Sequence, residues 1–446
     1  DTFWDRLLLM GFSAEVWMEP GLSPDDVRAG AARSVRQPPP VKVGLVLGAG
    51  NVGSIPIMDA LYKLFVENEL VILKMNPVNA YLGPSIEALF APYIEAGFFA
   101  VAYGGPDVGA YLCEHPAVET IHITGSDATY DAIVWGPHEG RAERKAAGQR
   151  VNARPVTAEL GNVTPILIVP GAWSERELEY QAWNVAGMIT NNASFNCVAG
   201  KLLVTAQGWP QREAFLSRLR AVLASIPPRH AYYPGARERW RAFREVHPQA
   251  ELLAPDADQT VPWTLITGVQ PEAKDDPCFR REPFCALISE VALPAESAAD
   301  FLPAAVDLCN EVVWGTLACS VIIHPSTRRD PVCEAAFQEA LDELRYGSIA
   351  VNQWPGINYG MSTLTWGAFP GHPPEDIQSG AGVVHNSYLL EGTQKSVLYA
   401  PFMVFPKPVW LPNHRKGAEV GERMTAFEHA PSLLGFLRVL WAAVTG

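Results

Sequence analysis

The segment VKVGLVLGAGNVGSIP, residues 41–56, limits what this chain can become more than any other. Val43 to Leu47 is an apolar run of strand length, and Gly48, Gly50 and Gly53 follow it as G-x-G-x-x-G. From Ile55 to Phe65 the apolar residues recur at helical spacing. A strand, a glycine turn and a helix in that order begin a βαβ unit, which is how parallel strands are joined. The pattern continues downstream. ELVILKM, VETIHITGS, TPILIVPG, AGKLLVTA, FCALISEVAL and CSVIIHP read as strands. PSIEALFAPYIEAGF, VGAYLCEHP, SERELEYQAWNVAGMITNN, QREAFLSRLRAVLASI and PVCEAAFQEALDEL read as helices. Residues 136–155 are polar and basic and read as an inserted loop. The expected class is α/β.

Composition narrows the function. With 446 residues, 48% hydrophobic and 18% charged, the chain can bury a large core and is not disordered. A net charge of −14 argues against a nucleic-acid partner, because phosphate contacts need a basic surface. The cysteines number seven and form no C-x-x-C pair, which disfavours a disulfide framework or zinc knuckle and fits a reducing, cytoplasmic setting. None of the ten histidines stands in H-x-x-x-H spacing, so no metal is expected. The longest apolar run near the C-terminus, Leu433 to Val444, carries Arg438 and is too short to span a bilayer, so no transmembrane segment is expected. No signal peptide is visible, and the opening Asp1 predicts a preceding piece.

The glycine fingerprint fails its own check. A pyrophosphate loop of this kind is paired with an acidic residue about 20 positions on, at the end of the second strand. Here that strand ends Leu73-Lys74-Met75-Asn76-Pro77, and the position is basic. Two other residues have the right chemistry for a site. Cys197, in FNCVAGKLLV, is a thiol at a loop-to-element junction, either a nucleophile or a buried cysteine. Glu159, in TAELGNVTPILIV, is a carboxylate at an otherwise apolar strand end, either a general base or a capping group.

Taken together, the motifs GAGN, VILKMNP, IHITGS, AELGNVTP, FNCVAGKLLV, REPFCALISEV and GSIAVN, in this order over roughly residues 36–400, resemble the aldehyde dehydrogenase superfamily. ITGS is similar to the family's F-T-G-S, ELGN to its E-L-G-G, NCVAG to its nucleophile loop and EPF to its E-x-F. The resemblance implies a Rossmann-type cofactor domain over residues 41–160 and an α/β catalytic domain over 161–385. An N-terminal segment, 1–40, precedes them, and a C-terminal strand and extension, 386–446, follows. It implies oxidation of an aldehyde to a carboxylic acid with NAD or NADP, and a homo-oligomer. Cys197 would be the nucleophile, Asn51 the oxyanion donor and Glu159 the activator of water. Lys74 and Glu282 would hold ribose hydroxyls and Gly125 and Ser126 the pyrophosphate, Phe284 would pack near the nicotinamide end, and Leu160 would also bind the cofactor. A CoA-acylating or reductive acyl-transfer relative, or a degenerate scaffold subunit, are the alternatives.

Several positions depart from the family pattern. Asn162 replaces a glycine, and Tyr130 stands where a small residue is usual, which predicts an altered pyrophosphate seat. Pro77 leaves the choice between NAD and NADP open. Arg141, Arg144, Lys145, Arg150 and Arg154 in the insertion form either a solvated face or a lid or 2′-phosphate contact. Trp354, Tyr359, Trp366 and Phe369 either line the substrate side, suiting a medium-to-large apolar or aromatic aldehyde, or pin a long loop. PSLLGFLRVLWAAVTG at the C-terminus is expected to pack on protein rather than lie on a membrane.

Overall fold

The structure, a computed structural model, describes residues 3–446. Two sheets organise it, and the α/β class expected from the sequence is the one observed. The smaller, six-stranded sheet runs Gly380–Ala381, Val156–Glu159, Thr120–Thr124, Lys42–Leu47, Glu69–Lys74, Phe99–Ala102. Five of its strands are parallel and joined through helices, the Rossmann-type arrangement. The sixth, Gly380–Ala381, comes from far along the chain and pairs antiparallel with Ala158 and Glu159. Only glycine fits at 380: φ is +125°, and a Cβ would stand 1.9 Å from the Ala158 carbonyl oxygen.

The larger sheet has nine strands: Ser13–Met18, Thr393–Tyr399, Ser348–Val351, Ala318–Ile322, Thr164–Ile168, Gly200–Ala206, Leu287–Leu293, Thr264–Val269, Glu251–Leu252. Its strands 164–168, 200–206 and 318–322 are buried along their whole length. That is why they read as continuous apolar runs rather than alternating ones. The main hydrophobic core lies on this sheet, with Glu175–Thr190, Arg212–Ser225 and Ala298–Glu311 packed over it.

Some expectations need correction. The single helix expected over PSIEALFAPYIEAGF is two, Gly83–Leu89 and Ala91–Glu95. Pro92 lies in the first turn of the second, where its missing N–H costs nothing, whereas it would break a continuous helix. The inserted loop contains a helix, Arg141–Ala146. The C-terminal region forms Gly417–His429 and Leu433–Val444, which share a small core of Val420, Phe427, Val439 and Ala442 with Trp4 and Leu8 from the N-terminal helix Phe3–Leu8. The outward side of Leu433–Val444 leaves Leu433, Leu434 and Trp441 exposed.

The helix Ile55–Phe65 also turns out differently from a simple amphipathic reading. Its buried face includes Asp59 and Lys63 as well as Ile55 and Ala60, while Phe65 is exposed. Charged residues one turn apart are thus pressed against the six-stranded sheet.

Candidate active site

The nine catalytic and cofactor-binding residues expected from the sequence all line one cavity of about 1250 Å³ between the two sheets: Asn51, Lys74, Gly125, Ser126, Glu159, Leu160, Cys197, Glu282 and Phe284. Strand ends supply Lys74 and Glu159, and the turn after Thr120–Thr124 supplies Gly125 and Ser126. The fingerprint glycines have a packing role as well. A Cβ on Gly50 would stand 2.6 Å from the Asn76 amide oxygen, so only glycine lets the turn close on that side chain.

The cavity floor carries the reactive groups. The Cys197 thiol donates to Glu159 Oε1 at 3.6 Å. Burial pushes the Glu159 carboxyl up to about 8, the negative charge of Asp59 adds to this, and Trp366 and Cys197 oppose it. Glu159 Oε2 is buried with no hydrogen-bond partner. Burial raises the Cys197 thiol well above its ordinary value, with the Glu159 and Glu282 charges adding. A thiol beside a carboxyl of raised pKa is the arrangement that a nucleophile and its base require.

The loop before Cys197 is held under strain. Asn192, Ala193 and Ser194 adopt φ of 49°, 55° and 69°, left-handed values that cost roughly 1–2 kcal/mol each for residues other than glycine. Several contacts offset this. The Lys201 ammonium donates to the Ser194 carbonyl at 2.8 Å and to its hydroxyl at 2.7 Å. The Asn192 amide donates to the carbonyls of Asn51 and Phe195, and the Thr164 hydroxyl to the carbonyl of Cys197. Burial lowers the Lys201 ammonium to about 8. Asn51 is tied to the same loop through its amide, which donates to the Phe195 carbonyl at 3.2 Å and has a second N–H for another acceptor.

At the other end of the cavity, Ser126 caps Asp127–Trp135, accepting from the Thr129 N–H, so the helix N-terminus opens into the cavity. Glu282 is pushed up to about 8 by burial, which Lys201 and Arg239 oppose, and its Oε1 has no hydrogen-bond partner. Phe284, at φ 41°, sets its ring against Tyr233. Arg239 fixes this turn by donating to the carbonyls of Pro283 and Phe284. Sequence reasoning missed both Arg239 and Lys201, which sit far from any motif or simply inside a strand.

The departures resolve into structure. Tyr130 turns into the core with Ile123, Val134 and Trp135 and is absent from the cavity lining. It therefore gives no ground for the altered pyrophosphate seat expected from its size. Asn162 is buried, its amide on Thr164 and the Ala318 carbonyl. Arg144 holds the carbonyls of Trp135, Pro137 and Glu139, and Arg154 those of Glu114, His115 and Val118, so these arginines serve to close loops. Trp354, Tyr359, Trp366 and Phe369 do not line the cavity; Trp354 instead donates to the carbonyl of Val198, next to Cys197. Among the described residues, His247, Asp276 and Cys278 bring possible metal-ligating atoms together, a cluster the histidine spacing gave no hint of. Their contacts close on each other: His247 Nε2 is 3.0 Å from Asp276 and 3.4 Å from the Cys278 sulfur, and Asp276 accepts from the Cys278 N–H.

Comparison with known proteins points the same way. The model of the aldehyde dehydrogenase family matches residues 36–236, and the relatives and solved structures that resemble the chain are aldehyde dehydrogenases. It is 29% identical over 214 residues to betaine aldehyde dehydrogenase 2 of Rhizobium meliloti, covering 46% of this chain and 39% of that protein. It is 28% identical over 311 residues to an aminoacetaldehyde dehydrogenase of Pseudomonas aeruginosa, covering 65% of this chain and 56% of the relative. The chain therefore spans about half the length of the curated relatives it matches. An NAD-dependent aldehyde dehydrogenase from Sinorhizobium meliloti superposes with a TM-score of 0.59 at 21% identity, over 80% of this chain and 66% of the other. That likeness extends the family fold well beyond the segment matched by the family model. Among the described residues no helix is long and apolar enough to cross a membrane.

Proposed function

We propose that this protein oxidises an aldehyde to a carboxylic acid with a nicotinamide dinucleotide, through a thioester on Cys197. The observation that carries the reading is the Cys197–Glu159 pair, 3.6 Å apart, on the floor of the cavity that Lys74, Ser126 and Glu282 also line.

The residues fit the cofactor. The orphaned, buried Glu282 Oε1 suits a ribose hydroxyl, which brings its own donor. Lys74 offers a cationic donor on the same cavity wall, and the helix starting after Ser126 presents backbone N–H groups to an anion. When bound, the nicotinamide supplies the acceptor for the two electrons removed from the aldehyde.

The chain's own groups do the rest. Glu159 takes the Cys197 proton, and the thiolate attacks the aldehyde carbon. The second N–H of the Asn51 amide and the Cys197 backbone N–H hold the oxyanion. Once the thioester has formed, Glu159 takes a proton from water, which hydrolyses it. The raised carboxyl of Glu159 suits this double duty, since a base near the working pH both accepts and releases protons. Glu159 also supports hydrolysis over transfer to a thiol acceptor such as coenzyme A. Support for the choice between NAD and NADP is evenly divided, because Pro77 neither repels nor binds a 2′-phosphate.

The test is absorbance of NADH and NADPH with a panel of aldehydes, with and without coenzyme A, for wild type and Cys197→Ala. Turnover that depends on Cys197 and not on coenzyme A is expected. A Cys197→Ala protein with full activity overturns the mechanism.

A further inference from the structure

Behind Glu159 a file of polar side chains crosses the core, where apolar residues would pack more cheaply. Thr124 pairs in register with Glu159 on the adjacent strand. Its hydroxyl donates to Asp59 Oδ2 at 2.9 Å. His122, two residues earlier on the same face, lies 3.2 Å from the Thr124 hydroxyl, 3.5 Å from Asp59 and 2.9 Å from the Thr157 hydroxyl. One helical turn beyond Asp59 is Lys63, 2.6 Å from Glu67 and 3.6 Å from Glu69. Glu69 accepts from the Thr120 hydroxyl at 2.8 Å. Asp59, Lys63, Glu69, Thr120, His122 and Thr124 are all buried, whereas the Glu67 side chain is 31% exposed. The file thus consists of two hydrogen-bonded groups, one beside the cavity floor and one reaching the surface, which meet where Asp59 and Lys63 lie one turn apart on the helix and His122 and Thr120 two residues apart on the strand.

The reaction proposed above needs such a route. Aldehyde, oxidised nicotinamide and water give carboxylate, reduced nicotinamide and two protons. Both protons pass through Glu159 if it serves the thiol and then the water, so the base must discharge between steps. On the cavity side Glu159 faces Cys197. Beside it stands Trp366, whose ring packs on Tyr359, which in turn packs on His385. His385 Nδ1 sits 3.3 Å from the Tyr359 carbonyl, which can only accept, so Nδ1 carries the hydrogen and the buried, unpartnered Nε2 is bare.

We propose, resting on that functional reading, that the polar file is the exit route for the protons Glu159 collects, with Asp59 the first acceptor beyond it and Glu67 the outlet. At each transfer an O–H or N–H bond breaks on one group and forms on the next, and no electrons change hands. Asp59, Thr124 and Lys63 are positioning and relay residues that touch neither substrate nor cofactor. A buried ion-pair network kept only for packing would have the same contacts and the same through-space effect on Glu159 ionisation, but no influence on the rate at which Glu159 discharges its proton.

The experiment uses Asp59→Asn and the nearly isosteric Thr124→Val in the full chain, with folding checked by circular dichroism. The first readout needs no aldehyde: the pH dependence of Cys197 alkylation by iodoacetamide. Removing the Asp59 charge moves its inflection to lower pH by about one unit. The second readout is turnover, where both variants lose about tenfold in kcat at unchanged aldehyde KM, and small diffusible bases such as imidazole restore part of the loss in the variants but not in wild type. Wild-type protein that oxidises no aldehyde refutes the functional reading, whereas active wild type with variants unaltered in kcat, or with a loss that diffusible bases do not restore, refutes the file alone. If Asp59→Asn does not fold, Thr124→Val decides by turnover and buffer rescue.

Discussion

Glu159→Gln will make the protein more stable above neutral pH while halting its steady-state turnover. The folded state raises this carboxyl from its ordinary value of 4.5 to about 8. Below the lower value both folded and unfolded chains hold the proton, and no penalty exists. As pH rises, the unfolded chain releases its proton first, so folding must take it back up and stability declines until the folded group also ionises. At about 1.4 kcal/mol per unit, the full shift corresponds to roughly 4–5 kcal/mol lost across that window. Glutamine never ionises, but it can turn an amide donor toward the neighbouring Trp366 N–H, a mismatch costing about 1–3 kcal/mol. The variant should therefore lead wild type by ~2 kcal/mol above about pH 8 and trail it slightly near pH 5. Urea midpoints of both proteins across this range measure the crossover. In stopped flow, the variant should give a slowed first burst of reduced cofactor, since Cys197 has lost its base, and then stall with the thioester unhydrolysed. A stability difference that is the same at every pH would show that the Glu159 carboxyl is not held protonated by its surroundings, and the base assignment would lose its physical ground.

Other perturbations separate the remaining parts of the site. Cys197→Ala should abolish aldehyde oxidation while changing stability by no more than about 0.5–1 kcal/mol, since the thiol packs only partly into the core; calorimetry with the coupled absorbance assay checks both. Asn51→Ala should lower kcat by about 10²–10³ with little change in cofactor affinity, as expected of an oxyanion donor, and a loss confined to KM would contradict it. Arg239→Met frees the Pro283 and Phe284 carbonyls and should raise the cofactor KM about tenfold with a smaller effect on the thiol's alkylation rate. Wild-type kcat should climb about tenfold from pH 7 to 9 as Glu159 ionises, a profile that Cys197 alkylation should follow.

The strands at the centres of both sheets were legible because burial on two faces leaves an unbroken apolar run, as in Val43 to Leu47 and Thr164–Ile168. Edge strands escaped notice. Ser13–Met18 is half exposed, and Gly380–Ala381 is two residues long, so neither has a periodicity to detect. The site candidates were legible only as an ordered set, since neither Cys197 nor Glu159 alone outweighs its structural reading. Lys201 and Arg239 act on carbonyl groups, and backbone partners leave no pattern in a sequence. The helix Ile55–Phe65 shows the limit most plainly. Asp59 and Lys63 at i and i+4 spell a solvent face, and only the polar stripe of Thr120, His122 and Thr124 opposite them explains why that face is turned inward.

The short strand Gly380–Ala381 bears on how the molecule can move. It leaves the larger half of the chain to pair with Ala158 and Glu159, and the chain then returns to the larger sheet at Thr393–Tyr399. The Leu160 N–H bonds to Ser379 at the same seam. Any jaw-like parting of the two halves would have to unzip this stitch, and the stitch includes the backbone of Glu159 itself. Any change at the cavity mouth that leaves this seam shut must accordingly be made by loops, with the backbone of Glu159 held in place.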